Sequence, residues 1–298
     1  GIGYPQASEV ININGDLDDI THYANTVCLP GDISAVIEGL ISQLNGDTGK
    51  LLRENWVLEC AKKKSEWTLF KSKRVNGNVL KDDTWKRSVL TQPSAIHLVA
   101  SFAKEYQAIK YFDAGDVQAN GFQLVEDDTP EQTFTEAGAS FMGFACSALL
   151  GSAKLENPKY GIAFTGDGSF MMNPQILIDA VEHGVRGMIA LFDNRRMAAI
   201  SGLQHAQYGY EFKTHDSVYV DYVAMANSVK GIRALHGGFN AEELKKCLKN
   251  AFQHKGLSLI HIPVYSGQDE MGGMGAYGSW NVGNWVNDVQ ASYLKVKI

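Results

Sequence analysis

Asp167 stands between two glycines in the stretch TGDGSFMMN (Thr165–Asn173), and 27 positions later (194 − 167) Asn194 closes the run MIALFDN. A Gly-x-Gly turn at a strand end lets backbone N–H groups approach a phosphate closely, and the start of a following helix favours negative charge. A carboxylate in that turn repels the phosphate unless a cation lies between them. Mg²⁺ suits the place, because it takes oxygen from one or two side chains and the rest from phosphate and water. Asp167 and the amide oxygen of Asn194 thus make a coherent Mg²⁺–diphosphate anchor. Taken singly, each has a plainer reading, since GDG is a common turn and Asp193–Asn194 can cap a helix. The spacing shifts the balance. One helix and one strand fit between them, and a β-α-β passage of that length sets both side chains at one sheet edge on neighbouring strands.

The surrounding elements are consistent with that placement. From Gln92 the chain alternates helix and strand patterns. PSAIHLVASFAKEY is a helix opened by Pro93, AIKYFDAG a strand, EAGASFMGFACSALLGSA a small-residue helix, GIAFTGDG a strand and PQILIDAVEHG a helix. MIALFDN, YVDYVAMANSV, AEELKKCLKNAFQH and LSLIHIPVY continue as strand, helix, helix and strand. Continuous apolar strands between helices predict an α/β fold with a buried parallel sheet flanked by helices. In such sheets ligands gather at the carboxyl ends of the strands, where Asp113–Gly115, Gly166–Gly168 and Asp193–Asn194 fall.

Upstream, Ser8–Gly15 alternates as a strand, Asp32–Leu44 reads as a capped helix, and a longer helix is expected from about Arg53 to Lys71. Arg74–Thr84 is the most loop-like stretch, and the domain boundary is expected just after it. The expected organisation is residues 1–45, a helical linker over 46–90, and a ligand-binding domain over 91–298. The tail GQDEMGGMGAYGSWNVGNW, rich in glycine and aromatics, is expected to act as a lid or packing arm.

Bulk properties narrow the function. The 298 residues carry a net charge of −6, which argues against non-specific binding to nucleic acid or anionic membrane. Cys28, Cys60, Cys146 and Cys247 form no CxxC pair, so a zinc ribbon or a cysteine-ligated cluster within this chain is excluded and a reducing, cytoplasmic setting is expected. SFMGFACSALLGSA, the longest charge-free apolar run, is too short for a membrane span, which needs about 20 residues.

GDG followed by about 25 residues and an Asn after a polar residue resembles the thiamine diphosphate (ThDP) signature of the acetolactate synthase and pyruvate decarboxylase superfamily. The detailed run, GDGSFMMN, then DN, then ISGLQ, is most similar to trihydroxycyclohexane-1,2-dione hydrolases and related cyclic-dione hydrolases. The resemblance covers about Gln92 to Val264 and extends weakly into the first 45 residues, which are similar to the end of the family's central domain. It implies Mg²⁺ ligands from the Asp167 and Asn194 side chains and the Arg196 main-chain carbonyl. It implies that Gly166, Gly168 and Ser169 border the diphosphate, with N–H groups from Gly168 and Ser169. Met142 falls where the family places an apolar wedge under the bent cofactor, and the Ser140 carbonyl would receive the 4′-amino group. Asp116 and Val117, in the loop after DAG, fall where the family contacts diphosphate. An Asp at 116 departs from the family's neutral residues and restricts that contact to backbone N–H. Ile200 would face the substrate. RRMAAI also departs from the family, and Arg195 and Arg196 are expected to point to solvent rather than bind an anionic substrate. His205, His215, Tyr208 and Tyr210 are expected in a polar surface loop beyond.

ThDP chemistry also needs a glutamate on the pyrimidine nitrogen. The resemblance places it in a separate pyrimidine-binding domain acting across a subunit interface; Glu136 is not that base. No catalytic base is therefore expected within these residues. The expectation is a diphosphate-binding subunit, naturally split or truncated, that works with a second subunit in a hetero-oligomer on a small carbonyl substrate. Alternatives are a split 2-oxo acid decarboxylase or acetolactate synthase-like enzyme, and a non-catalytic scaffold.

Overall fold

The computed structural model describes residues 7–21, 23, 25–44, 50–136, 138–267 and 269. These divide into two compact units, one reaching to Glu66 and the other running from Trp67. In the first, β1 (Val10–Asn14) and β2 (Thr26–Pro30) pair in parallel, Val10 opposite Thr26. Helix α1 (Ile33–Gln43) starts where Asp32 accepts the N–H groups of Ser34 at 3.0 Å and Ala35 at 3.1 Å, satisfying two of the donors a helix start leaves unpaired. Helix α2 (Lys50–Arg74) follows and continues into the second unit.

The stretch expected to be a loop, Arg74–Thr84, instead supplies β3 (Val79–Asp82), paired antiparallel with β4 (Arg87–Leu90). Asp82 closes the hairpin by accepting the N–H groups of Thr84 at 2.8 Å and Trp85 at 3.0 Å. Four-residue strands are too short for alternation to register as a pattern, which is why the sequence reads as irregular there.

Then come α3 (Gln92–Glu105), β5 (Ile109–Phe112), α4 (Asp116–Leu124), β6 (Thr133–Thr135), α5 (Phe144–Ala153) and β7 (Gly161–Gly166). They are followed by α6 (Asp167–Phe170), α7 (Ile176–Glu182), β8 (Gly187–Asp193), α8 (Ala198–Tyr208), α9 (Tyr222–Asn227), β9 (Arg233–His236), α10 (Ala241–Phe252) and β10 (Leu257–Pro263). Six strands form one sheet in the order β6-β5-β7-β8-β10-β9, every pair parallel. The expected parallel sheet flanked by helices is present, and β7 and β8 are neighbours as the spacing predicted.

Alternation sorts the apolar strands onto two cores. Ile162, Phe164, Met188, Ala190 and Phe192 face one side with α3, α4 and α10. Ala163, Ile189 and Leu191 face the other with α5, α7 and α9. Phe112, Phe164 and Phe192 stack across three strands with centroids 4.3 and 6.0 Å apart, an arrangement that buries large apolar area directly beneath the strand ends.

One expected helix is much shorter than its sequence pattern. The helix expected over Glu136–Ala153 begins only at Phe144, because Ser140 (φ +56°) and Gly143 (φ +93°) are left-handed. Elements α4, β6, α8 and β9 add to the sequence reading, and His205 and Tyr208 lie on α8 rather than in a loop. The glycine-rich tail read as a lid lies outside the described residues apart from Gly267 and Asp269. Among the described residues no helix is long and apolar enough to cross a membrane, and all four cysteines are free.

Candidate cofactor-binding site

After β5 the chain turns to one side to form β6, then returns to lay β7 on the other side of β5. A crevice opens at the carboxyl ends of strands where the order reverses in this way, and it is where ligands bind in open parallel sheets. One cleft of about 570 Å³ lies there, lined by Asp116, Val117, Ser140, Met142, Gly166, Asp167, Gly168, Ser169, Asn194, Arg196 and Ile200. The structure thus brings the residues expected to hold cofactor and cation to one cavity, while Arg195, His205, Tyr208, Tyr210 and His215 are not part of its lining.

The strand ends supply its polar floor. Asp167 begins α6 and is 5% exposed, beside the fully buried Asp193. Burial pushes the Asp167 carboxyl well above its ordinary range, and the carboxylates of Asp193 and Asp216 push it further, against the Gly168 N–H. Two buried carboxylates this close, Asp167 and Asp193, favour a shared proton or an intervening cation. Asn194 Oδ1 accepts the Arg196 N–H at 3.2 Å, which leaves its second lone pair for another partner. Hard oxygen donors beside excess negative charge fit Mg²⁺. Among the described residues no group of three or more His, Cys, Asp or Glu side chains could hold a metal unaided.

The turn after β8 is tightly fixed. Asp193 Oδ1 accepts the Arg195 N–H at 3.0 Å, and Arg195 takes φ +58°. The expectation that both arginines point to solvent is corrected for Arg196. It is 6% exposed, and its guanidinium donates to Ser201 Oγ at 3.3 Å, to the Ser266 carbonyl and to Glu211. Arg195 is half-buried, donating to the Val218 carbonyl at 3.0 Å and lying over the Tyr219 ring. The expected solvation describes neither of them: they tie down the 209–219 loop. His215 is exposed and sits 3.3 Å from Glu211.

Met142 owes its place to a second fixed turn. Asp113 is buried at the end of β5 and accepts the N–H groups of Gly143 at 2.7 Å and Ala114 at 3.1 Å, and the Thr165 hydroxyl at 2.8 Å. Ser140 Oγ donates to Gln118 Oε1 at 3.1 Å, and Gln118 in turn donates to Thr135 Oγ1 at 2.6 Å. The Glu136 carboxylate accepts from Gly138, Ala139 and Phe141, hydrogen bonds led by Ala139 that hold it below its ordinary range. That is a structural use of the carboxylate. Met142 reaches toward Gly168: a side-chain carbon added at Gly168 would lie 3.4 Å from the Met142 methyl and 3.1 Å from Met197 Sδ. A side chain there would narrow the floor and require the Met197 thioether to shift.

Asp116 and Val117 are the first residues of α4 rather than a loop. Gly115 before them takes φ +80°, and the first N–H groups of the helix have no partner within it. The sequence reading missed Phe122 and Ala119 on α4, and Ala199 and Leu203 on α8, which form the apolar outer wall. Their i, i+3 and i, i+4 spacings are a helical signal, overlooked because neither helix was recognised.

Comparison with known proteins gives the family and the fold. Residues 113–262 match the family described as thiamine pyrophosphate enzyme, C-terminal TPP binding domain. A 3D-(3,5/4)-trihydroxycyclohexane-1,2-dione hydrolase from Bacillus licheniformis is 27% identical over 265 residues, covering 83% of this chain and 40% of the relative. A probable acetolactate synthase large subunit from Methanocaldococcus jannaschii is 32% identical over 156 residues, covering 51% of this chain and 26% of the relative. The chain therefore spans well under half the length of these relatives. Among solved structures, benzoylformate decarboxylase from Polynucleobacter necessarius shares the fold with a TM-score of 0.55 and 17% identity, over 60% of this chain and 34% of that one. The chain belongs to the thiamine pyrophosphate enzymes and carries their C-terminal cofactor-binding domain.

Proposed function

We propose that this chain binds the diphosphate of ThDP through Mg²⁺, in an enzyme that makes or breaks a C–C bond next to a carbonyl. The observation that carries the reading is the meeting of Asp167 and Asn194 at adjacent strand ends, one bearing a buried carboxylate crowded by others. Asp167, Asn194 and the Arg196 carbonyl would hold the cation. Backbone N–H groups at Gly168 and Ser169, and at the start of α4, would hold the diphosphate, since the guanidinium of Arg196 is engaged elsewhere. Met142 would support the cofactor from below, and the apolar wall with Ile200 would exclude water. ThDP held there would supply a nucleophilic carbon and an electron sink for chemistry at a substrate carbonyl.

The substrate class is a 2-oxo acid, hydroxyketone or 1,2-dione. The activating glutamate belongs, in this reading, to the pyrimidine-binding domain of a second subunit. No glutamate lines the cleft among its described residues, and the Glu136 carboxylate is engaged with backbone. Similarity to the acetolactate synthase large subunit supports a second reading, a decarboxylase or synthase, which release of CO₂ from a 2-oxo acid would distinguish.

Calorimetry with ThDP and Mg²⁺ on the chain in its native assembly tests the proposal. Binding that is lost in Asp167→Ala supports it, whereas no binding, or binding indifferent to that change, favours a scaffold. Native mass spectrometry should show a second chain with the cofactor. Enzyme-like turnover by the purified 298-residue chain alone would overturn the partner requirement.

A further inference from the structure

His261 lies in the middle of β10, 2% exposed, outside the cleft lining. Its register partner on β8 is Leu191, and its side chain reaches two residues further along the same face to Asp193. Nε2 sits 2.8 Å from Asp193 Oδ2. That is hydrogen-bond distance, and the ring nitrogen can serve as donor to the carboxylate oxygen. The imidazole is enclosed by Trp85, Tyr222 and His236, with ring centroids 6.0, 5.5 and 5.4 Å away. Its orientation is therefore set by packing, and Asp193 is fixed against it.

The other oxygen of Asp193 accepts the Arg195 N–H at 3.0 Å, within the left-handed turn that separates Asn194 from Arg196. One carboxylate thus spans the sheet interior and the turn. Left-handed backbone is unfavourable for a side chain such as arginine and persists only where its surroundings enforce it. The His261–Asp193 bond is the side-chain link from that turn to β10, beside the backbone bond from the Val264 N–H to the Asp193 carbonyl at 2.9 Å.

We infer that His261 is a positioning residue for the divalent cation site: by holding Asp193 it sets the turn that aims the Asn194 amide oxygen and the Arg196 carbonyl. This rests on the cation reading proposed above. It goes beyond it by assigning a role to a residue on a strand that bears none of the proposed ligands. Outer partners of this kind typically change metal affinity 10–100-fold when removed.

Glutamine and asparagine at 261 separate positioning from packing. The glutamine amide reaches the place of Nε2, whereas the asparagine amide falls one methylene short of Asp193. In the native assembly with saturating ThDP, Mn²⁺ binding is followed by electron paramagnetic resonance, and folding by circular dichroism. His261→Asn is expected to weaken Mn²⁺ binding on the order of 10-fold or more, and His261→Gln to stay near wild type. If the asparagine variant does not fold, His261→Met, which fills the space without a donor, takes its place. Wild-type affinity in the donor-less variant, or equal losses in the Gln and Asn variants, overturns the positioning role. Failure of the wild-type assembly itself to take up Mn²⁺ overturns the cation reading instead.

Discussion

Asp113 Oδ1 accepts the N–H of Gly143 at 2.7 Å, joining the end of β5 to the residue that opens α5. Its other oxygen accepts the Thr165 hydroxyl from β7 at 2.8 Å. One buried carboxylate thereby sets the distance between two central strands and the turn carrying Met142. Burial raises the Asp113 carboxyl above its ordinary range, and the hydrogen bonds from Thr165 and Gly143 oppose that shift.

Asp113→Asn keeps the shape but confronts an N–H or hydroxyl donor with an amide NH₂. A buried donor left unsatisfied costs about 1–3 kcal/mol, so the unfolding free energy from denaturant titration should fall by an amount of that size, with a lower midpoint. Unchanged stability would mean that the Ser140–Gly143 turn is held by other contacts.

Asp167 is predicted to destabilise the cofactor-free chain as pH rises. Its folded carboxyl binds a proton more tightly than the ordinary group at 3.8. The folded state therefore holds the extra proton, and stability falls from that ordinary value upward through the raised one. Mg²⁺ with ThDP should remove the fall. Asp167→Asn should flatten it, raise the cofactor-free melting temperature, and abolish the response to Mg²⁺. Thermal melts from about pH 4 to 8 check the sign, and a wild-type melting temperature that climbs over this window would contradict it.

Arg196→Ala should release the 209–216 segment. The guanidinium holds Glu211 and the Ser266 carbonyl, and removing one partner of a largely buried pair costs roughly 3 kcal/mol. Trypsin should then cut after Lys213 sooner than in wild type. Lysine should not restore protection, because a single ammonium cannot reproduce the forked contacts. Acid should have a similar effect. Burial alone would raise the Glu211 carboxyl, but Arg196 brings it below its ordinary 4.5. Its contribution is present above that pH and lost as pH falls through the lowered value.

Gly121→Ala tests the seat of α4. A carbon added at Gly121 would collide with the Phe112 ring, itself stacked on Phe164. Overpacking of this kind costs typically about 1–3 kcal/mol, and displacing α4 should also weaken ThDP binding measured by calorimetry. Binding and stability both at wild-type level would show that the Phe112 ring can yield.

The sequence by itself determined the strand–helix alternation, the apolar runs that became β7, β8 and β10, and the Asp167–Asn194 spacing that set both residues at one sheet edge. Those features are local: side-chain period and connection length act within about 30 residues. Glu136–Gly143 read as helix because small residues suit one, yet left-handed Ser140 and Gly143 and the carboxylates of Glu136 and Asp113 hold it open. The short strands β3, β4, β6 and β9 were too brief to show a period. Only the tertiary structure decided that β10 lies beside β8, setting His261 against Asp193, and that the strand order reverses between β5 and β7. It also decided that Arg196 turns inward. Strand order and buried polar pairing come from long-range packing, where each group must find a partner far away in the chain, and no local pattern encodes which one it finds.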